Sequence, residues 1–250
     1  MVRQKLKDDG FGEDNVFLCR GKEVSRLEAF SDCVFAFAVT LIVVSLEVPG
    51  TFTELLRSMK GFIGFGICFA ILLQVWYSHY LYFRRYGLND SVTVALNGLL
   101  LFIVTFYVFP LKFVFNTLVI LLTEGPDATT RAGHLPNGEP APLILDSQIG
   151  TMFVIYGLGF AAVALTFMLM YRRAYKLRQQ LELSDAETYL TKAEINRQLL
   201  LAGIGGISVL AALLLGKNAG FAGFFYFFIG PVEAYIGIRR RKGLAKIMLD

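Results

Sequence analysis

The fold is decided by a long uncharged stretch at residues 149–171, which reads IGTMFVIYGLGFAAVALTFMLMY. A helix that crosses the hydrocarbon core of a bilayer needs about 20 consecutive apolar residues, and this stretch is long enough. Every backbone polar group in lipid must be paired internally, which only helices and closed barrels achieve. Because the stretch is apolar without the two-residue alternation of a barrel strand, it predicts a transmembrane helix.

The rest of the chain repeats this pattern. Of the 250 residues, 55% are hydrophobic and 18% are charged, whereas a soluble domain has about 25% charged residues. This composition excludes a large soluble catalytic domain and predicts an all-α membrane protein with six transmembrane helices in a single domain, residues 1–250. The predicted spans are about 29–48, 61–84, 91–112, 149–172, 198–216 and 218–238. Pro110 is expected to kink or end the third span.

The basic residues orient the predicted bundle, because Lys and Arg accumulate on the cytoplasmic side of membrane proteins. Of the 24 Lys and Arg residues, only Arg57, Lys60, Arg131 and Lys217 lie on one side, and Lys112 lies near the end of the third span. The other basic residues lie on the side that contains both termini. Both termini are therefore predicted to be cytoplasmic.

Few polar side chains lie inside the predicted spans. Asp32, His79 and Asn97 are at similar depth near the cytoplasmic side, so a hydrogen-bonded cluster across three helices is expected. Such residues either lock helix packing or carry a proton or ion relay, and the sequence leaves both interpretations open.

One side of the first span is distinctive. Phe37, Thr40, Leu41 and Val44 fall within an arc of ~100° when successive residues are placed ~100° apart. In a monomer this arc faces lipid or packs against other helices. In an oligomer it lines a pore that is gated by the dewetting of apolar rings. The periodicity alone does not choose between these arrangements.

The sequence lacks the motifs of several other classes. His79 and His134 are the only histidines, so no cluster has metal-ligand spacing. There is no phosphate-binding glycine loop, no Thr-Val-Gly-Tyr-Gly carbonyl filter, and no serine with a plausible histidine base. We therefore expect neither an enzyme nor a cofactor, and no metal beyond a permeating ion.

The N-terminal part of the chain resembles the transmembrane protein 175 family. The family signature is an Arg, three further residues and Phe-Ser-Asp. The residues that carry the resemblance are Arg26, Phe30, Ser31 and Asp32 in the first span, Trp76 and His79 in the second, Asn97 in the third, and Pro110 after it. The specific motifs cover roughly residues 24–112, and beyond them only the span count and topology agree.

The resemblance implies a potassium-permeable channel without a carbonyl filter, built as a homotetramer with the first helix of each subunit around the pore. The implied pore-lining residues are Phe37, Thr40 and Val44, with Leu41 on the same face. The implied supporting network is Arg26, Phe30, Ser31, Asp32, Trp76, His79 and Asn97. Phe37 departs from the family, in which this position is usually Ile or Leu. The implied partners are potassium ions, membrane lipid and further copies of the chain, with no nucleic acid.

Three further expectations complete the sequence prediction. A proton-coupled secondary transporter that uses Asp32 and His79 is the alternative, although the two halves show none of the internal symmetry common in transporters. A membrane scaffold without transport is a third possibility. Glu47, at the outer end of the first span, is either a site that concentrates cations or a solvated surface carboxylate. The expected location is the cell membrane, as a multi-pass protein of a prokaryotic inner membrane.

Overall fold

Six α-helices make up most of the computed structural model, which describes residues 16–44, 50–125, 133–134 and 140–247. The helices are α1 (Arg26–Val44), α2 (Phe52–Tyr86), α3 (Ser91–Glu124), α4 (Ile149–Lys176), α5 (Asp185–Leu214) and α6 (Ile229–Ile247). The remaining elements are two antiparallel two-residue strands, β1 (Gly133–His134) and β2 (Pro140–Ala141), and the 3-10 helices Asp146–Gln148 and Gly216–Phe228. The predicted all-α class is confirmed.

Five segments of the described chain are long and apolar enough to cross a membrane. They are Phe62–Tyr86, Ser91–Thr123, Ile149–Lys176, Asp185–Leu214 and Asn218–Ile247. The described part of α1, Arg26–Val44, is not among them. The structure therefore supports five of the six predicted spans, and a span through α1 stays a prediction.

Two helices begin well before the predicted spans. α2 starts at Phe52 and α5 starts at Asp185, instead of residues 61 and 198. The early start of α5 has a local cause, since Ser184 Oγ accepts a hydrogen bond from the Glu187 amide at 3.3 Å and the Ser184 amide donates to Glu187 Oε2 at 2.9 Å. This reciprocal capping box pairs two amides that the first turn of a helix otherwise leaves without partners.

The third helix does not end at Pro110, so this part of the expectation is wrong. α3 continues to Glu124 as one α-helix with Pro110 inside it. A proline removes one main-chain hydrogen bond, and the uncharged residues after Lys112 let the helix continue in an apolar environment. The phenol of Tyr156 on α4 donates a hydrogen bond to the Pro110 carbonyl, which holds the proline turn against its neighbour.

The start of α3 is fixed by a carboxylate that also binds α4. Asp90 accepts hydrogen bonds from the Val92 amide at 3.3 Å and the Thr93 hydroxyl at 2.6 Å, and Arg173 pairs with it at 2.9 Å. Burial raises the pKa of Asp90, but the bonds from Thr93 and Arg173 outweigh this effect and hold the pKa below its usual value. The pair joins the N-terminus of α3 to the last turn of α4.

The main core contains large aromatic side chains from α2 and α4, and their buried phenol groups are hydrogen-bonded. Tyr82 donates to the Met170 carbonyl at 3.2 Å, and the Tyr86 phenol lies 2.8 Å from the Thr191 hydroxyl. Tyr82 and Tyr86 are at most 1% exposed, so an unpaired phenol here would be costly. These contacts tie α2 to α4 and α5.

α4 and α5 cross at a pair of glycines. A Cβ atom added at Gly205 would lie 2.9 Å from the Gly157 carbonyl oxygen, and one added at Gly157 would lie 2.9 Å from the Gly205 carbonyl oxygen. Small residues at such crossings let two membrane helices approach closely. A Cβ atom added at Gly203 or Gly206 would meet no atom within 4 Å. Of the three α5 glycines at 203, 205 and 206, therefore, only Gly205 serves this contact.

The sixth predicted span, residues 218–238, is a 3-10 helix followed by α6. The 3-10 segment Gly216–Phe228 has non-helical backbone angles at Asn218 (φ −97°, ψ 16°), so its continuous part begins after this kink. That part is still longer than the about 4 residues that such helices rarely exceed. Its sequence repeats Ala-Gly-Phe, and residues three apart lie above one another in this geometry. The alanines 219 and 222 are buried, and the phenylalanines 221, 224 and 227 are exposed. The three-residue repeat therefore matches the helix type.

Glu233 on α6, an ionisable side chain inside the predicted sixth span, is held by an ion pair. Both of its carboxylate oxygens accept from Arg197 Nε at 2.8 Å. Glu194 extends this ion pair into a network, since its carboxylate lies 3.3 Å from Arg197 and 2.7 Å from Arg240. These contacts make Glu233 a structural link between α5 and α6.

Candidate functional site

α1 has one buried face and one exposed face. Phe35, Ala38 and Ile42 pack against the core formed with α2 and α3 and are at most 4% exposed. On the other side Phe30 is 61% exposed and Phe37 is 56% exposed. The helix therefore presents a largely apolar face to whatever surrounds the single chain.

A buried chain of hydrogen bonds joins α1, α2 and α3. Asn97 Nδ2 donates to Ser31 Oγ at 2.9 Å, and Asn97 Oδ1 lies 2.8 Å from His79 Nε2. Ser31 Oγ in turn donates to the Leu27 carbonyl at 2.8 Å. Because the amide oxygen can only accept, His79 donates from Nε2. The three polar side chains are at most 1% exposed, so the chain fixes the rotation of α1 against its neighbours.

Asp32 is not part of this series of hydrogen bonds. Its Oδ1 accepts a hydrogen bond from Trp76 Nε1 at 2.8 Å, and the carboxylate lies at the edge of an open groove between α1 and α2 with a volume of about 220 Å³. The other walls of the groove are Phe35, Ala36, Val39, Phe69, Leu72, Leu73 and Trp76. The structure thus brings His79 and Asn97 together as expected and places Asp32 with Trp76 on a separate side of α1.

Two members of the expected network stand apart from these contacts. Arg26 is exposed at the start of α1 and makes no hydrogen bond or ion pair with the described part of the chain. Phe30 is 61% exposed on the same side of the helix. Within one chain, neither residue supports α1.

The expected pore-lining residues lie on or beside the exposed face of α1. Phe37 and Thr40 are exposed, and the Thr40 hydroxyl donates to the Ala36 carbonyl at 3.0 Å. Leu41 is half-buried beside the core, at the edge of this face. The backbone of Val44 ends α1, but its side chain and the whole of Glu47 lie outside the described residues.

Sequence reasoning missed the segment that leads into α1, residues 16–25, which we call the strap. The amides of Arg20 and Gly21 donate to the Arg84 carbonyl at 3.1 and 3.2 Å, and Arg84 Nη1 donates to the Gly21 carbonyl at 2.6 Å. A Cβ atom at Gly21 would collide with the Phe83 carbonyl. The strap therefore caps the C-terminus of α2 at van der Waals distance.

A second capping box joins the strap to α1. The Glu28 amide donates to Ser25 Oγ at 3.2 Å, and the Ser25 amide donates to Glu28 Oε1 at 3.1 Å. A Ser followed three residues later by Glu is a sequence signal for a helix N-terminus, and it occurs at residues 25–28 and again at 184–187. This signal was available in the sequence and marks where α1 and α5 begin.

Lys112 contacts the opposite end of α1. Its Nζ donates to the Ile42 carbonyl at 3.1 Å, where a helix C-terminus carries partial negative charge. The lysine lies past Pro110 on α3, which extends beyond the predicted span. Lys112 is itself the last residue of the predicted third span, but its contact with Ile42 depends on how α1 and α3 pack, which the sequence does not contain.

The polar groups of the site do not form a metal centre. Within the part of the chain that the structure describes, no group of three His, Cys, Asp or Glu side chains is placed to hold a metal ion. The arrangement is a rigidly held helix with an exposed, mainly apolar face that also carries a hydroxyl.

Comparisons with known proteins cover both this site and the whole chain. A family profile described as "Endosomal/lysosomal potassium channel TMEM175" matches residues 26–107. A protein of Marivirga tractuosa named "Potassium channel" is 36% identical over 259 residues, which cover 99% of this chain and 100% of that protein. A potassium channel of Chamaesiphon minutus is 38% identical over 96 residues, 35% of this chain and 47% of that protein.

A solved structure matches over nearly the same length. The crystal structure of a variant of the potassium channel MtTMEM175, in complex with a Nanobody-MBP fusion protein, aligns with a TM-score of 0.78 and 36% identity. The alignment covers 93% of this chain and 99% of that chain.

Proposed function

Because the chain belongs to the TMEM175 family, we propose that it forms a potassium channel in which the exposed faces of four α1 helices line one pore. The observation that carries the proposal is the exposed apolar face of a helix whose other face is held by buried hydrogen bonds. Family membership confirms the resemblance drawn from Arg26, Phe30, Ser31 and Asp32. It also confirms the prediction of a channel instead of an enzyme, since the relatives are named potassium channels.

The spacing of the exposed residues supports a shared axis. Positions 26, 30, 33, 37 and 40 are separated alternately by four and three residues, and all of them are exposed. In the sequence, positions 44 and 47 continue the series. A seven-residue repeat of this kind keeps one face of a helix toward its partners when helices wind around each other. We call the face formed by these seven positions the stripe. A lipid-facing helix can show the same spacing, and the family relationship favours the shared axis over that arrangement.

The chemistry of the stripe suits a cation path without a carbonyl filter. Four Phe37 side chains around an axis form an apolar ring, which an ion passes only after losing part of its hydration shell. Potassium loses water more readily than sodium because it is larger. Thr40 lies one turn further along, and its hydroxyl oxygen keeps lone pairs that can coordinate a cation. Val44 would form the next apolar layer, with Leu41 behind it.

The contacts of α1 with α2 and α3 would hold the stripe toward the axis. The chain Ser31–Asn97–His79 and the pair Asp32–Trp76 prevent α1 from rotating. Arg26 and Phe30, which a single chain leaves exposed, lie on the stripe and would contact neighbouring subunits at its cytoplasmic end. Glu47 would lie at the outer mouth and attract cations.

The proposal also includes the position of the channel in the cell. The protein would cross the cell membrane six times, through α1 and through the five apolar segments named above. Both termini would lie in the cytoplasm, and lipid would surround the outer helices. Subunit counting in the membrane is expected to give four copies.

A proton-coupled transporter is not favoured. That mechanism needs Asp32 and His79 to exchange a proton, but the Asp32 carboxylate binds Trp76 and the His79 ring binds Asn97. The two groups thus belong to separate contacts on different sides of α1.

Single-channel recording tests the proposal directly. Purified protein in a planar bilayer is expected to show unitary current steps, with a reversal potential that follows the potassium gradient and not the sodium gradient. Phe37→Ala is expected to raise the unitary current because it widens the apolar ring. Phe102→Ala is the matched control, since Phe102 on α3 is 70% exposed but lies away from α1's stripe.

Two results would contradict the proposal. The first is native protein in bilayers that passes no unitary current. The second is a Phe37→Ala variant with the same unitary current as both Phe102→Ala and the native protein.

A further inference from the structure

The strap reaches across the bundle to the start of α5. Phe17 in the strap is 2% exposed, and the Arg85 guanidinium lies 4.6 Å from the centre of its ring. The Leu18 amide donates to Glu187 Oε1 at 3.0 Å. The strap therefore lies between the end of α2 and the first turn of α5.

Arg20 makes the strongest contact of the strap. Its Nη1 and Nη2 bind the two carboxylate oxygens of Glu187 at 2.6 and 2.9 Å. Nε donates to the Leu181 carbonyl at 2.7 Å, and Nη2 also donates to the Glu182 carbonyl at 3.1 Å. The side chains of Arg20 and Glu187 are 17% and 1% exposed. Bidentate pairs of this kind fix orientation as well as distance.

We propose that the Arg20–Glu187 ion pair is a positioning device that holds the cytoplasmic end of α1, so that breaking it changes how often the channel opens. The inference rests on the proposed function, because it assigns α1 to the pore. Neither residue touches the permeating ion. Their effect on current reaches the pore only through the position of α1.

The mechanical path from Glu187 to α1 is short and continuous. Glu187 belongs to the capping box of α5, and α5 packs against α4 along its length. Arg20 connects the packed pair α4 and α5 to the strap, and the Ser25–Glu28 capping box connects the strap to α1. A displacement of Arg20 therefore moves the end of α1.

Two variants separate the ion pair from the helix cap. Glu187→Gln removes the charge that binds Arg20, but glutamine still serves at this position of a capping box. Ser184→Ala does the reverse, since it removes the capping hydroxyl and leaves the Arg20–Glu187 pair. Ser184→Ala is the matched control, because it alters the same turn without breaking the ion pair.

The expected result is a change in gating with unchanged conductance. Glu187→Gln and Arg20→Gln should each change the ratio of open to closed time about tenfold, which matches the free energy of a charged hydrogen bond. The double variant should change the ratio by less than the two single changes combined, because both single variants remove the shared Arg20–Glu187 pair. Arg20→Gln additionally removes the bonds to the Leu181 and Glu182 carbonyls. Ser184→Ala should lower Tm and leave the open-to-closed ratio at the native value.

The failure of this inference differs from the failure of the proposed function. If Glu187→Gln and Ser184→Ala lower Tm alike and both keep native gating, the ion pair is only structural, while the channel proposal stands. If the effects of Arg20→Gln and Glu187→Gln add in the double variant, the two side chains act independently and the positioning device is overturned. Native protein without unitary steps would instead overturn the channel itself.

Discussion

At the scale of single residues, Asn97 holds the contact between α1 and its neighbours. Its amide donates to Ser31 and accepts from His79, so it bonds to α1 and α2 at once. Asn97→Leu leaves His79 Nε2 buried without its hydrogen-bond partner and removes the donor to Ser31, which keeps its bond to the Leu27 carbonyl. An unpaired buried group costs about 1–3 kcal/mol. We expect a lower Tm in detergent, measured by thermal unfolding followed by size-exclusion chromatography.

The control for Asn97 lies on the same helix. Asn116 is also on α3 but is exposed, so Asn116→Leu is expected to leave the Tm within a degree or two of the native value, as surface changes usually do. Equal loss of stability in both variants would show that the buried hydrogen bonds of Asn97 do not hold α1.

The residue contacts of the site were predictable in part. The depth of His79 and Asn97 follows from counting residues along each span, because both spans cross the same bilayer. Whether Asp32 joins them depends on the relative rotation of α1 and α2, which the sequence does not contain. The tryptophan partner of Asp32 therefore emerges only from the folded chain.

At the scale of secondary-structure elements, the crossing of α4 and α5 depends on Gly205. Any Cβ at this position must move the Gly157 carbonyl or the side chain of Ala161. Gly205→Ala is expected to destabilise the protein by about 1–3 kcal/mol through overpacking. Gly203→Ala has open space and should be neutral or slightly stabilising, because alanine favours helix.

The two glycine variants form one experiment. Their Tm values are compared in the same detergent with that of the native protein. A Gly203→Ala variant that loses as much stability as Gly205→Ala would contradict the close crossing.

The helices themselves were more predictable than their ends. Long uncharged runs require helices in lipid, so the existence of α2 to α5 follows from composition. Their ends depend on local hydrogen bonds, such as the Ser184–Glu187 capping box. The 3-10 helix was not predicted, because an apolar run has the same composition in either helix type. Its Ala-Gly-Phe repeat was the only sequence signal.

At the scale of the whole molecule, the contacts of the strap could not be predicted from the sequence. Arg20 and Glu187 are 167 residues apart, and each has the appearance of an ordinary cytoplasmic charge in the sequence. Only the packing of the strap against the end of α2 and the start of α5 brings them together. The exposed face of α1 was more predictable, because the sequence places Phe37 and Thr40 on one arc of the first span and both are exposed in the single chain.

The central claim is that this stripe faces water around a shared axis, and Cys33 tests it most directly. Cys33 is exposed on the stripe, Cys68 is buried, and Cys19 lies in the strap. A charged methanethiosulfonate reagent, added on the cytoplasmic side during potassium recording, reacts with thiols in water and not in lipid. Cys33→Ser keeps Cys19 and Cys68, so it is the matched control.

We predict that the reagent blocks most of the potassium current through the native protein and leaves the current of Cys33→Ser unchanged. Native current that persists at full size after the reagent, with Cys33 shown by mass spectrometry to be unmodified, would place the stripe in lipid and contradict the account.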